Sequence, residues 1–493
     1  MASMALQTCL LDAVSGSVAF QGQPFYQIAN VQPYNLDVPV NPVAITYPRS
    51  AQQIADVVQC AVQSSMKVQA RSGGHSYANY GLGAGNDNTV VVDLKNMKQF
   101  SMDTNSWQAT VGSGTLLGEL TERLHNNGQR AIPYGTSPTI GIGGHATIGG
   151  LGPTGRQWGL TLDQILEVEV VLANSSIVRA SDTQNSDLFW AIRGAAAGFG
   201  IVSEFKFRTH PEPGSNVQYS FNFGALDAKS KAQAFLKWQE LISDPSLSRK
   251  FASTVTVTQD LGMVISGTFF GSREEYDSLN IESRLPTTND SMVQIQGWLG
   301  TVANWADDLA LKLVGHTPSH FYSKSLGYTR NDLLSEEVAE NLFQYLEDAD
   351  KGSPVWFLVF DLEAGAISDV ASDATSYGHR DALFFHQSYI VNLLGDVTQT
   401  SRDFLDGINN LVSTALPNHP QGAYPGYVDP ELGAQAQQDY WEGNVPRLEQ
   451  IKAMVDPTDV FHNPQSIRPS AARKMRRDPS PSGPGASKPS IGN

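Results

Sequence analysis

With 493 residues the chain is too long for one ordinary core, so two domains, or one large discontinuous domain, are expected. At 41% hydrophobic and 17% charged residues it has the composition of a soluble globular protein. Its formal net charge of −16 argues against nucleic acid and against an anionic membrane surface as partners, and no apolar run approaches the ~20 residues that cross a bilayer.

The opening Met-Ala-Ser-Met-Ala-Leu has neither a basic stretch nor a long apolar one, so no signal peptide is read there. Residues 5–35 are mixed and aromatic, without periodicity. Residues 50–65 place Ile54, Val57, Val58, Ala61 and Val62 on one helical face, with Ser50 as N-cap. Residues 67–70 read as a strand entering the turn Ser72-Gly73-Gly74, and His75 follows directly. Adjacent glycines allow positive φ and close approach to a ligand, and successive backbone N–H groups there can cradle an anion such as a pyrophosphate. Residues 89–94 and 107–112 are further strands, and 115–127 a helix capped by Thr115. This order suggests an α+β domain.

Nine glycines fall within residues 135–159, interleaved with isoleucines and a tryptophan. That density suits a backbone wrapped around a large planar or phosphorylated ligand better than a linker. It is neither a Walker loop nor a Rossmann fingerprint. Residues 165–173 form a strand whose partner begins at 176, and 187–194 form a short helix. Gly198-Phe199-Gly200-Ile201-Val202 is a third glycine turn entering a strand, and residues 211–214 mark a boundary. Beyond it, strand-like runs at 255–258, 263–271, 355–362 and 383–391 alternate with helices near 232–242, 273–279, 302–314, 335–350 and 401–412. This pattern suggests an antiparallel sheet with helices on one face. One helix is expected over 434–454, and the Pro-, Ser- and Gly-rich tail from 473 is expected to be disordered.

Cys9 and Cys60 fit either a single disulfide or two separate buried thiols. The histidines show no metal-ligand spacing, so no metal is expected, and no nucleophile elbow is present. Taken alone, Tyr424 and Tyr427 read as packing residues and Asp361 as a turn cap.

Four pieces nevertheless occur together and in order: Arg71-Ser72-Gly73-Gly74-His75-Ser76-Tyr77, the 135–159 run, the 198–202 turn, and Gly443-Asn444 followed by Asn463-Pro464-Gln465-Ser466-Ile467. Together they resemble the berberine-bridge-enzyme-like branch of the vanillyl-alcohol-oxidase flavoproteins. Within it the likeness is to the fungal gluco-, chito- and xylo-oligosaccharide oxidases, over nearly all of residues 5–470. The resemblance implies an α+β flavin domain of the PCMH/VAO type with two subdomains. Its parts would be 1–213 and 425–472, with an antiparallel-sheet substrate domain at 214–424 inserted between them and a tail at 473–493. It implies FAD held by Arg71, Ser72, Gly73, Gly74, His75, Ser76, Ser137, Ile140, Gly141, Gly144, His145, Gly149, Gly150, Gly152, Gly200, Ile201, Val202 and Asn444, and joined through its 8α methyl to His75. It also implies a Cys9–Cys60 disulfide and a secreted monomer.

By the same resemblance Tyr427 is the base for a substrate hydroxyl, Asp361 accepts its hydrogen bond, and Tyr77, Tyr424 and Gln387 shape the substrate subsite. His145 reads as structural within the flavin loop. One departure is that Ser137 stands where many members carry a cysteine with a second flavin link, so one covalent bond is expected. Ile140 occupies the position thought to gate oxygen, and Val359 stands where some members have glutamine. The expected reaction is oxidation of the anomeric hydroxyl of a reducing saccharide to the lactone, with O2 reduced to hydrogen peroxide. If Ile140 blocks oxygen, the enzyme is a carbohydrate dehydrogenase. Other readings are an oxidase of a hydrophobic alcohol or secondary metabolite, and a flavin-binding protein with little turnover.

Overall fold

Ser50 Oγ accepts the Gln53 N–H at 3.2 Å and closes the first turn of helix Ala51–Gln63, whose Ile54, Val57, Val58, Cys60 and Ala61 are buried. In the computed structural model, which describes residues 3–470 except 86, 87, 225, 260, 313–317, 417–421 and the side chains of 307–312, this helix is the crossover of a small sheet. The sheet order is Val18–Phe20, Ala44–Thr46, Thr89–Asp93, Lys67–Arg71, and the last two pairings are parallel. The expected disordered tail lies outside the described residues.

A helix at Met4–Ala13 packs on Ala51–Gln63 through Leu6 and Leu10. Two buried leucines are too narrow a stripe to stand out in the sequence. The Cys9–Cys60 disulfide joins the two helices across 51 residues. In the chain-entropy picture a loop of that length stabilises by about 4 kcal/mol. Cys60→Ser is expected to lower the urea midpoint by the equivalent of about 2–4 kcal/mol. An unchanged midpoint would show that packing alone holds the pair.

A second, antiparallel sheet runs Phe100–Asp103, Gln108–Gly112, Ile201–Arg208, Ile165–Val171, Ile177–Ser181. Helices Leu117–Asn126 and Ser186–Ala195 share its core, as do Ala436, Tyr440, Leu448, Ile451 and Ile467 from the C-terminal region. Thr115 does not cap the first of these helices. The Leu116 N–H donates instead to Glu119 Oε2 at 3.2 Å, so the helix begins two residues later than expected.

The third sheet is seven-stranded and antiparallel among the described residues, in the order Ser291–Gln296, Asn216–Asn222, Gly262–Phe269, Phe251–Thr258, Val355–Leu362, Phe384–Asn392, His320–Tyr328. Helices Ala228–Ile242, Glu336–Asp348 and Gln399–Ala415 share one core with it. Helix Trp298–Lys312 departs from the expectation of helices on one face. Its Trp298 and Trp305 join the other core, beside Ala252 and Phe270, and Trp305 Nε1 donates to Thr268 Oγ1 at 3.0 Å.

The single helix expected over 434–454 is broken into Ala436–Trp441 and Val445–Val455. Glu442 takes φ +50° at the break, and Trp441 Nε1 donates to the Gly194 carbonyl at 2.9 Å. From the second segment the fully buried Lys452 ammonium donates to the carbonyls of Gly198 (2.6 Å) and Phe461 (2.9 Å) and pairs with the fully buried Asp456 (2.6 Å). Val460 and Phe461 lie along the strand Lys67–Arg71, and the Val68 N–H donates to the Val460 carbonyl at 2.9 Å. Lys452 thus fastens the C-terminal region to the strand that leads into the His75 turn. Among the described residues no helix is long and apolar enough to cross a membrane.

Candidate active site

The glycine runs and the seven-stranded sheet enclose a cavity of about 900 Å³. One wall is backbone-rich, from 69–77, 135–153 and 194–198. The other is made of sheet side chains and the 424–428 loop.

The first two glycine runs touch backbone to backbone. A Cβ on Gly73 would lie 2.2 Å from Gly141 N, and one on Gly141 would lie 2.1 Å from Gly73 N. The bare glycine at 73 therefore admits the second run while its backbone lines the cavity, and Gly74 turns the chain at φ +76°. Arg71, expected at the cofactor, lines the cavity but turns its guanidinium away. Its Nε donates to Asp93 at 2.9 Å, and its terminal nitrogens reach the Asn30 and Val31 carbonyls. Ser72 Oγ donates to the Ser113 carbonyl at 2.6 Å, and Ser76 Oγ accepts from the Tyr80 N–H at 3.0 Å. The cationic and hydroxyl groups of this turn thus brace the loop.

His75, Ser76, Ser137, Ile140, Gly141, Gly144, His145 and Gly152 all line the cavity. Gly149, Gly150, Gly200, Ile201, Val202 and Asn444 do not. Ile201 and Val202 are buried in the strand Ile201–Arg208, and Gly200 is pressed against Val170 and Val171. The Gly150 N–H donates to the Tyr424 hydroxyl, and the Asn444 amide donates to the Ser372 carbonyl at 2.8 Å. Gly198 and Ala197 of the third turn do reach the cavity.

His145 Nε2 accepts the Gly135 N–H at 3.0 Å. Burial pulls its pKa down to about 4. It is therefore neutral at physiological pH and holds the start of the second glycine run. His210, stacked on Trp158 at 4.7 Å, is also lowered to about 4, by burial and then by Arg208 and Arg130. The unfolded chain takes up these protons near pH 6.5 and the folded chain only near pH 4, so stability is lost as pH falls through that window. His145→Gln keeps an acceptor and removes one titration. Its melting midpoint is expected to fall less than that of the parent between about pH 7 and about pH 4.5. Equal falls would take His145 out of the linkage.

On the opposite wall, strand Val355–Leu362 sends Leu358 and Phe360 into the helix-covered core. Phe357, Val359, Asp361 and Glu363 alternate towards the cavity. Asp361 Oδ1 accepts from Thr254 Oγ1 at 2.9 Å, its register partner on the next strand. Tyr427 stacks on Tyr77 (centroids 6.1 Å, 18°), and Tyr77 stacks on Tyr34 (6.1 Å, 16°). Burial first, then the Asp361 carboxylate, pushes the Tyr427 phenol well above its ordinary pKa. It is therefore protonated at neutral pH.

Two of the expected substrate contacts are already engaged. Gln387 Nε2 donates to the Tyr77 hydroxyl at 2.8 Å. The Tyr424 hydroxyl accepts the Gly150 N–H at 3.0 Å, so Tyr424 supports the glycine run from the cavity side.

Other residues came without warning from the sequence. Tyr34 faces His75 at 4.8 Å, and Thr139 Oγ1 lies 2.9 Å from His75 Nε2. Glu363 is 4% exposed, and burial, then Asp361, holds its carboxyl well above the usual range. Arg156 beside it donates to the backbone carbonyls of Phe251 (2.8 Å) and Glu363 (2.7 Å). Strand alternation from Asp361 was the signal that would have found Glu363.

Residues 42–181 match the family described as FAD binding domain, and 423–468 match berberine and berberine like. The chain is 43% identical to the FAD-linked oxidoreductase sorD of Penicillium rubens, over 95% of this chain and 99% of that protein. It belongs to the berberine-bridge-enzyme-like FAD-linked oxidoreductases. The solved xylooligosaccharide oxidase from Myceliophthora thermophila, in complex with xylobiose, superposes with a TM-score of 0.86 at 31% identity, over 95% of this chain and 100% of that one. The glucooligosaccharide oxidase from Acremonium strictum, described as carrying 6-S-cysteinyl, 8α-N1-histidyl FAD, superposes at 0.85 and 31%, over 95% and 100%.

This berberine-bridge-enzyme-like chain is an FAD-dependent oxidoreductase acting on CH–OH groups, on the vanillyl-alcohol-oxidase fold. Its cavity fits the cofactor. At about 900 Å³ it stands near the upper end of the roughly 300–1,000 Å³ usual for a small-molecule site. A Cβ built on Gly144, which lines the cavity, meets nothing within 4 Å, so the space beside this stretch of backbone is open.

Proposed function

We propose that the enzyme oxidises the anomeric C1 hydroxyl of a reducing saccharide to the lactone. In this reading FAD is joined to His75 alone and supplies the hydride acceptor, and O2 takes the electrons as hydrogen peroxide. The flavin side is built from 1–213 and 425–472, and the substrate side from 214–424. The observation that carries the reading is the meeting of Tyr427 and Asp361 in the cavity that also holds His75. Tyr427 takes the substrate hydroxyl proton as its own moves towards Asp361, because burial and the neighbouring carboxylate disfavour a standing tyrosinate. Tyr34, Tyr77 and Tyr427 form a stacked row of rings along the cavity wall, an apolar surface edged with hydroxyls for a substrate to lie against. The disulfide suits an oxidising compartment, and we read the protein as a secreted monomer.

A second reading keeps the fold and chemistry and changes the substrate to a hydroxylated compound of apolar surface. Phe357 and Val359 precede Asp361 on the cavity face, and the Gln387 amide is committed to Tyr77. Anaerobic bleaching of the flavin by cellobiose, xylobiose or chitobiose would support the first reading. Silence on all three, with bleaching by an apolar alcohol, would replace it with the second. Turnover with O2 against a dye acceptor then tests whether Ile140 makes the enzyme a dehydrogenase.

A further inference from the structure

The His75 turn and the Ser137 turn meet at one side chain. Thr139 Oγ1 lies 2.9 Å from His75 Nε2 and 3.4 Å from Ser137 Oγ. On the reading that FAD is joined to His75, we propose that Thr139 is the positioning residue for that attachment. Its hydroxyl accepts the Nε2–H, which leaves the ring lone pair on Nδ1, and it then relays the Nε2 proton out past Ser137 as the bond forms.

A neutral imidazole has one donor and one acceptor nitrogen, and the partner of one decides the role of the other. An acceptor at Nε2 selects the tautomer whose nucleophilic pair sits on Nδ1. A hydroxyl suits the task because it accepts and donates at the same oxygen, which neither a methyl nor a carbonyl does. Attachment breaks one C–H bond of the 8α methyl and the Nε2–H bond, and forms one Nδ1–C bond. The electron pair of the C–H bond stays in the flavin ring, which is reduced by two electrons. Dioxygen takes those electrons with the two released protons and leaves as hydrogen peroxide. Nε2 then carries a lone pair, and Thr139 reverses to donate to it, so one contact serves both before and after.

The test compares the parent chain with Thr139→Val and Thr139→Ser. Flavin absorbance is read before acid precipitation, then in pellet and supernatant, with in-gel flavin fluorescence and a melting curve alongside. The parent and Thr139→Ser are expected to carry the colour into the pellet. Thr139→Val is expected to hold FAD until acid is added and then release it, with attachment slowed by about 10²-fold. A Val pellet as yellow as the parent's overturns the assignment. So does a Ser variant as colourless as Val at an unchanged melting point, or a Val variant empty of FAD before acid, which would make Thr139 a residue of binding rather than attachment. A colourless parent pellet would instead remove the His75 linkage itself.

Discussion

Tyr427→Phe is expected to slow anaerobic flavin reduction by about 10²–10⁴-fold, the usual contribution of a positioned general base, while FAD stays attached and the melting point hardly moves. The half-buried ring packs against Tyr77 and Tyr424, with ring centroids 6.1 and 5.0 Å away, and phenylalanine keeps that packing. Asp361→Asn is expected to cost a similar factor. Asparagine can still accept from Thr254 Oγ1, as Asp361 does at 2.9 Å, so the strand pairing survives while the proton acceptor is lost. Removing the carboxylate also removes one cause of the raised tyrosine pKa, so a role for Asp361 in charge tuning alone would make this variant faster. The double variant is expected to be little slower than either single, because the pair works as one unit. Additive losses, or a fast Asp361→Asn, would break the assignment.

What the sequence revealed divides along the range of the forces involved. Helix Ala51–Gln63 and strand Lys67–Arg71 carry their cap and their burial pattern within their own residues, and both were legible. So was the meeting of glycine runs, although the reason differs. Gly73 and Gly141 exclude side chains because their backbones pack on each other. Tyr427 and Asp361 were reached only through family resemblance. They are brought together by strand register, Thr254 opposite Asp361, and by a loop from the far end of the chain. Thr139 was missed because its partner His75 lies 64 residues away and a lone threonine in a glycine run carries no local signal. Gly200, Ile201, Val202 and Asn444 were placed at the cofactor by motif. None of the four lines the cavity: Ile201 and Val202 are buried in strand Ile201–Arg208, and the Asn444 amide donates to the Ser372 carbonyl.

Lys452→Met should destabilise the protein by about 3–5 kcal/mol, the cost of stripping one partner from a buried ion pair. The site should suffer as well. The ammonium holds the Gly198 carbonyl, on the cavity wall, and the Phe461 carbonyl, beside the strand entering the His75 turn. Loss of both frees the third glycine run and the C-terminal edge together, so the FAD content of the purified protein is expected to fall with the melting point. Replacing both members of a buried pair by apolar residues is often neutral. Here Lys452→Met with Asp456→Leu is expected to be worse than either single change. Asp456 accepts the N–H groups of Val460 at 2.8 Å and Phe461 at 2.9 Å, so the double variant leaves buried backbone donors and acceptors unpaired at once. Recovery of stability in the double variant would show that the pair matters only for its charge, and that the C-terminal segment needs no polar brace to hold the strand beneath His75.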